Sequence, residues 1–275
     1  MQLIDGKKLR DEILIQVQKE ISELSFKPVF CDILVGEDSV SRQYVQMKAK
    51  IAESIGIDFH EAFFSKSILT EELVVEIKKI NDLPNMCGII VQLPLPEHID
   101  KKIILDTIQP NLDVDCLGNI NSQKFYQNQY ILGYPTALAC LYLLDFLSLN
   151  LQNKKIVVLG QGELVGRPVT ALLNFRNLNV QPIDTSTENK ERLIKEADII
   201  ISAIGRGKYL NSSMVKKNVI IIDAGTSESG SGIVGDVDLE SAHQVASFIS
   251  PVPGGVGPIT LAMLFRNILK VAQSK

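Results

Sequence analysis

Short apolar runs rich in β-branched residues alternate along this chain with segments of helical period, and that alternation confines the fold more than any single motif does. Val29 to Val35, closing at Gly36, and Gly88 to Leu93, closing at Pro94 and Pro96, read as strands. Between them Glu71 to Ile80 reads as a helix that Thr70 caps. Ile156 to Leu159, Val180 to Asp184, Asp198 to Ala203 and Val219 to Asp223 form a second series of short strands. Strands that are apolar throughout and separated by helix-length segments are covered on both faces, which predicts α/β architecture with parallel sheets. A helical pattern from Thr136 to Leu149 joins two lobes without a Gly/Ser linker, so one domain is expected over 1–135 and a second, Rossmann-like one over 136–261.

The chain has 275 residues, more than the roughly 250 at which one core usually stops growing, which favours two domains. With 28 basic against 32 acidic residues the net charge is −4, and no lysine or arginine block offers the cationic footprint that nucleic acid requires. No stretch approaches the roughly 18 apolar residues of a membrane span, and Met1-Gln2-Leu3-Ile4-Asp5 lacks the basic start of a signal peptide. Cys31, Cys87, Cys116 and Cys140 are widely spaced and His60, His98 and His243 isolated, so neither a disulfide framework nor a metal site is expected. These features point to a cytoplasmic protein without nucleic-acid or membrane partners.

In the second series, Ile156-Val157-Val158-Leu159 runs into Gly160-Gln161-Gly162-Glu163-Leu164-Val165-Gly166, with Pro168 opening a helical pattern. Glycines at a strand-to-helix turn bring bare backbone N–H groups close to a pyrophosphate, whose charge the helix N-terminus favours. The spacing is one residue longer than the common dinucleotide fingerprint, and a plain tight turn has the same appearance. Asp184 closes the next strand, where a carboxylate accepts hydrogen bonds from the adenosine ribose. A 2′-phosphate would meet a like charge there, and Gln161 rather than an arginine follows Gly160, so NAD is favoured over NADP. An ordinary turn capped by Asp184 with Thr185 and Ser186 carries comparable weight.

In the first series, Ser39 to Ile55 has helical spacing with Gly56 as its stop, and Tyr44, Val45, Ile51, Ala52 and Ile55 form an apolar stripe. Lys48 falls inside that stripe, one turn after Tyr44. Burial there would disfavour the ammonium and prepare a catalytic lysine; on spacing alone, a lysine whose head snorkels to water is the commoner arrangement. Gln92 closes one strand, and Asp113-Val114-Asp115 forms a short acidic loop. Ligands of open α/β sheets bind beyond the carboxyl ends of strands, so these groups are expected to converge with Tyr44 and Lys48; ordinary turns account for them as well.

Taken together, the motifs resemble the methylenetetrahydrofolate dehydrogenase/methenyltetrahydrofolate cyclohydrolase family. The resemblance runs from Asp5-Gly6-Lys7 through Val35-Gly36, Ser41, Tyr44-Val45, Lys48, Gly88 to Pro96, Asp113-Val114-Asp115 and Gly160 to Pro168. It continues in Gly235-Asp236-Val237 and in Pro251-Val252-Pro253-Gly254-Gly255-Val256-Gly257-Pro258-Ile259-Thr260. It implies a folate cleft between the two lobes and a bifunctional enzyme that oxidises methylenetetrahydrofolate with NAD or NADP and hydrolyses the product to formyltetrahydrofolate. Tyr44 would stack on the folate, Lys48 handle protons, Gln92 orient Lys48 and Asp115 bond the pterin. Leu93, Pro253, Gly254, Gly255 and Pro258 would complete the substrate site. The cofactor would meet Gly160, Gln161, Gly162, Glu163, Leu164, Val165, Gly166, Asp184, Thr185, Ala203 and Gly205. The final helix, Pro258 to Ala272, would return to the first lobe over 262–275, and a homodimer is implied.

Some positions depart from the family pattern. Leu112 replaces a lysine, Cys116 replaces a glycine, and Tyr134-Pro135-Thr136-Ala137 keeps only the threonine of a Pro-Cys-Thr-Pro entry. If that glycine has positive φ, Cys116 must strain or reshape its loop. The departures leave open a dehydrogenase without cyclohydrolase activity, or a folate-binding homologue without turnover.

Overall fold

The structure, a computed structural model, describes residues 2–230 and 232–275; Met1, the first residue of the expected first domain, and Ser231 lie outside the described residues. In chain order it forms β1 (Gln2–Leu3), α1 (Gly6–Ser22), β2 (Val29–Val35), α2 (Ser39–Ser54), β3 (Asp58–Phe64), α3 (Thr70–Asn81), β4 (Met86–Val91), α4 (Lys101–Thr107) and α5 (Asn119–Tyr126). There follow α6 (Pro135–Phe146), β5 (Ile156–Leu159), α7 (Gly166–Phe175), β6 (Val180–Ile183), α8 (Lys190–Glu196), β7 (Ile199–Ser202) and β8 (Val219–Asp223). The chain ends with β9 (Ser227–Ser229), β10 (Gly232–Val234), α9 (Leu239–Ala242), β11 (Ala246–Ser250) and α10 (Val256–Gln273).

Two compact units result, Glu12–Gly133 with Leu264–Lys275, and Met1–Asp11 with Tyr134–Met263. In the first, β3, β2 and β4 lie side by side, all parallel. All six residues of β4 are buried, as a strand covered on both faces must be. Part of that cover is the end of α10, where Phe265 meets Phe30 edge to face at 5.9 Å and buried Asn267 donates to the Val114 and Gly133 carbonyls at 2.8 and 2.7 Å. Thr70 is not the cap of α3. Leu69 occupies that position, its N–H donating to Glu72 Oε2 at 2.9 Å, while the Thr70 hydroxyl accepts from the Asp100 N–H at 3.1 Å.

The second unit holds a six-stranded sheet in the order β1-β11-β8-β7-β5-β6, parallel throughout. Every residue of β5 and β7 is buried, whereas β6, an edge strand, carries an exposed proline, Pro182, where a missing donor leaves no ladder bond unmade on the free side. Residues 2–11 group with this unit, although the sequence places them in the first domain. Their reason is backbone pairing: Gln2 and Leu3 register with Phe248 and Ile249, and the Gly6 N–H donates to the Gly254 carbonyl at 2.8 Å. A Cβ on Gly6 would lie 1.9 Å from the Gly255 oxygen, so the N-terminal Asp5-Gly6-Lys7 and the proline-glycine loop fit together only through glycine. Among the described residues no helix is long and apolar enough to cross a membrane.

Candidate active site

Helix α2 begins where Asp38 accepts a hydrogen bond from the Ser41 N–H at 2.7 Å, and it stops at Gly56, whose φ of +86° suits a residue without Cβ. Its buried face is Val45, Lys48, Ala52 and Ile55, at successive three- and four-residue steps. Lys48 thus comes to rest with only 6 % of its surface exposed, and it does not snorkel. Tyr44, one turn earlier, lies on the same side of the helix as Lys48, as the sequence expects, but is 41 % exposed rather than buried.

The Lys48 ammonium ends in a polar knot. Nζ donates to Gln92 Oε1 at 2.9 Å and lies 2.7 Å from Asp32 Oδ2. Gln92 sits just beyond β4, where its N–H donates to the Ile33 carbonyl at 2.8 Å and its Nε2 reaches the neighbouring Leu93 carbonyl at 3.5 Å. The strand end therefore fixes the amide, and the amide fixes Nζ. Asp32, in the middle of β2 and fully buried, escaped the sequence reading; the available signal was a lone acid inside an otherwise apolar strand. Desolvation pushes its carboxyl above the ordinary range, Lys48 acting against that rise.

The two acids of the Asp113-Val114-Asp115 loop divide the work. Asp113 is buried and spent on structure: Oδ1 accepts from the Leu117 N–H at 3.2 Å, and Oδ2 accepts from the Gly118 N–H at 2.9 Å and Asn121 Nδ2 at 3.2 Å. Asp115 stays free of such bonds among the described residues. Desolvation, with the charges of Asp113 and Asp32, pushes it up to about 7, against the opposing pull of Lys48. Lys48, Gln92 and Asp115 are therefore brought together with an unforeseen fourth member, Asp32.

The departures from the family pattern are accommodated by packing. Leu112 is buried, and its carbonyl accepts the Ile89 N–H at 2.8 Å. Cys116 keeps a positive φ, +62°, so the loop is strained rather than reshaped; its thiol is fully buried and donates to the Leu132 carbonyl at 3.5 Å. Burial raises that thiol's pKa well above the ordinary range, which keeps it neutral. Tyr134 is buried at the start of α6, with Pro135 in the first turn, where its missing N–H costs nothing.

In the other unit, Gly160 to Gly166 connects β5 to α7 beside the loop that follows β7. These two strands flank the point where the sheet order reverses, the usual place for a nucleotide. A Cβ on Gly160 (φ +86°) would stand 2.4 Å from the Ala203 oxygen, and one on Gly166 would stand 1.8 Å from the Gly160 oxygen. Gly162 is different: it is exposed, and nothing lies within 4 Å of where its Cβ would be. Two glycines thus close the turn and the third leaves its surface bare, which fits a pyrophosphate. Glu163 and Leu164 are exposed and Val165 precedes α7. The Gln161 side chain folds back, with Nε2 donating to the Val158 and Gly160 carbonyls at 3.2 and 3.0 Å and Oε1 accepting from Thr170 at 3.2 Å, so only its backbone is left for a ligand.

Asp184, with Thr185, is exposed past β6. Its Oδ1 accepts from the Ser186 N–H and hydroxyl at 2.9 and 2.7 Å and from the Thr187 hydroxyl at 3.0 Å, bonds that hold the carboxyl below its ordinary range. The turn is real, with Thr187 as well as Ser186 as its members. Gly205, at φ +66°, lies between Ile204 and Arg206, whose N–H groups donate to buried Asp236 at 2.9 and 2.8 Å. Pro253 is exposed, Gly254 has φ +106°, Gly255 is buried and Pro258 lies in the first turn of α10; all four belong to this second unit, whereas Lys48 belongs to the first.

Comparison with known proteins matches this geometry to two domain families. Residues 4–115 match the tetrahydrofolate dehydrogenase/cyclohydrolase catalytic domain, and residues 134–275 its NAD(P)-binding domain. The chain is 39 % identical over 273 residues to the bifunctional protein FolD of Halothermothrix orenii, covering 98 % of this chain and 96 % of that one. Among solved structures, the bifunctional FolD enzyme of Campylobacter jejuni superposes with a TM-score of 0.95 at 36 % identity, covering 100 % of this chain and 99 % of that one. The Trypanosoma brucei dehydrogenase-cyclohydrolase, solved with NADP and an inhibitor, gives 0.93 at 30 % identity, covering 99 % and 97 %. With both halves matched over nearly their whole length, this chain belongs to the tetrahydrofolate dehydrogenase/cyclohydrolase family.

Proposed function

We propose that Lys48, Gln92 and Asp115 are the groups that position and move protons in a bifunctional one-carbon enzyme. The chain is an NAD(P)-dependent methylenetetrahydrofolate dehydrogenase and methenyltetrahydrofolate cyclohydrolase. The observation that carries the residue assignment is the buried Lys48 Nζ, bonded to Gln92 and paired with Asp32.

The Gly160–Gly166 turn would hold the dinucleotide, which when bound would supply the hydride acceptor for the oxidation of the one-carbon bridge to the methenyl level. Hydrolysis then forms a bond from water oxygen to the bridge carbon and breaks one carbon–nitrogen bond. Water gives up two protons, one to the departing nitrogen and one to solvent, so a group that accepts and returns a proton accelerates the step. Lys48 is assigned that role. Its Nζ is held by Gln92, which limits where the proton is taken. Asp115, pushed up to about 7, is able both to donate and to accept a hydrogen bond and is assigned to the pterin edge. Tyr44, exposed one turn before Lys48, offers a ring face for stacking. Leu93 lies beside Gln92 and is assigned to the wall of the folate site.

The glycine turn from Gly160 to Gly166, with Ala203 and Gly205 on the adjoining loop, is assigned to the dinucleotide, and the cofactor to NAD in preference to NADP. Asp184 supports this choice: Oδ1 is taken by Ser186 and Thr187, while Oδ2 has no hydrogen-bond partner among the described residues and faces solvent as an acceptor for ribose hydroxyls. A 2′-phosphate there meets a carboxylate kept charged by its own turn. Initial rates of methenyltetrahydrofolate formation with NAD and NADP at equal concentration test the assignment. Faster turnover with NAD is expected, and a clear NADP advantage overturns it. A cytoplasmic homodimer completes the reading, supported by the resemblance to the family and by four free, buried cysteines; sedimentation at micromolar concentration checks the dimer.

A further inference from the structure

We propose that Asp32 is a positioning residue for the hydrolytic step, a carboxylate that holds the Lys48 ammonium against Gln92. The inference rests on Lys48 acting as assigned above.

A strand side chain that is fully buried and charged is costly unless it is paired and hydrogen-bonded. The compensation of buried Asp32 is the charge-assisted contact at 2.7 Å from Oδ2 to Lys48 Nζ. The pair is built from two elements, β2 and α2, and Nζ is fixed a second time by Gln92 from the end of β4. These two contacts, at the end of a side chain anchored on α2, define one position for the nitrogen. An apolar residue at 32 would leave only the Gln92 bond, and Nζ would be free to rotate about it.

The charges that act on this carboxylate come from each side. Lys48 stands opposite on α2; Glu61 occupies the register position on β3 and apolar Ile90 that on β4; Asp115 lies within electrostatic reach, and Cys31 adjoins on β2 itself. The negative charge of Asp32 helps to raise Asp115, which moves the working range toward higher pH. Its loss moves that range back.

The experiment compares Asp32→Asn and Asp32→Val with the unaltered enzyme. It follows hydrolysis of added methenyltetrahydrofolate from pH 5.5 to 9 and, separately, NADH formation from methylenetetrahydrofolate, with circular dichroism reporting the fold. Both variants are expected to move the hydrolysis profile to lower pH by about one unit, the size of effect one neighbouring charge exerts. They are also expected to lower its maximum at least about tenfold while NADH formation falls less. A merely structural role predicts an equal loss of both activities with no displacement along pH, and that result overturns the proposal, as does an unchanged profile in a folded variant. If the unaltered enzyme itself fails to hydrolyse methenyltetrahydrofolate above the buffer rate, the assignment of Lys48 fails instead, and the two failures are distinct.

Discussion

A buried ammonium and a buried carboxylate each lose water, and each tolerates the loss only because the other is there. Replacing Lys48 by Met alone leaves Asp32 buried without compensation, and the cost expected is about 3–5 kcal/mol in urea unfolding. Replacing both, Lys48→Met with Asp32→Leu, removes the charge as well as its partner and is expected to recover most of that loss; a double variant no more stable than the single one would show that the pair does not compensate. The sequence made Lys48 legible because a helix has a fixed period and a lysine between Val45 and Ala52 must lie on their face. Asp32 was hidden for the complementary reason. Its partner lies on a different element, and nothing local shows which strand residue a helix residue will meet. Tyr44 is on the side of the helix that its spacing from Lys48 gives, yet exposed, because periodicity fixes direction and not depth.

Elements rather than residues decide the nucleotide turn and the network behind it. Gly162→Ala adds a methyl into open space, so its thermal midpoint should stay within about 2 °C of the parent while the KM for NAD rises; Gly166→Ala, 1.8 Å from the Gly160 oxygen, should lose both fold stability and activity. An unchanged KM in Gly162→Ala would remove the phosphate from this turn. Behind it, Asp223 accepts from the Gly225, Asp236 and Val237 N–H groups at 3.0, 3.1 and 2.9 Å, yet burial lifts it to about 7, with the Asp236 charge adding to the rise. An acid raised in this way binds its proton in the folded state while the unfolded chain, near 3.9, has released it. Its contribution is thus complete below about pH 4 and is lost as pH rises through about 7, by roughly 4 kcal/mol at most. Urea midpoints at pH 5 and pH 7.5 should therefore fall more steeply in the parent than in Asp223→Asn; parallel slopes contradict this. The strands read from the sequence, from Val29–Val35 to Val219–Asp223, were legible to within a residue or two, because mostly apolar runs between helices have few other places to go; β3, with its polar and half-exposed side chains, and β11 went unread. The turn at Asp184 was legible only as two alternatives, since the same residues serve a turn and a ribose, and here one oxygen serves the turn and leaves the other open.

At the scale of the whole molecule, the chain's two ends are where pattern and structure part. A two-residue strand such as β1 has no periodicity to read, and its pairing with β11, with the Gly6 N–H on the Gly254 carbonyl, ties residues 2–11 to the nucleotide unit. The return of the C-terminal helix came from the family resemblance rather than from the residues. Its basis in the structure is Phe265 against Phe30 and Asn267 on the Val114 carbonyl, next to Asp115. What the two units accomplish together is one oxidation and one hydrolysis, and the second depends on Lys48. The most direct measurement is a single-turnover record of methenyltetrahydrofolate absorbance in the parent, Lys48→Met and Lys48→Arg, the last keeping a cation beside Asp32 that does not give up its proton at working pH. In the parent the absorbance rises and decays; in both folded variants it is expected to rise and then persist, with decay slowed at least about 100-fold. Decay at the parental rate in either folded variant would contradict the assignment of the hydrolytic step to Lys48.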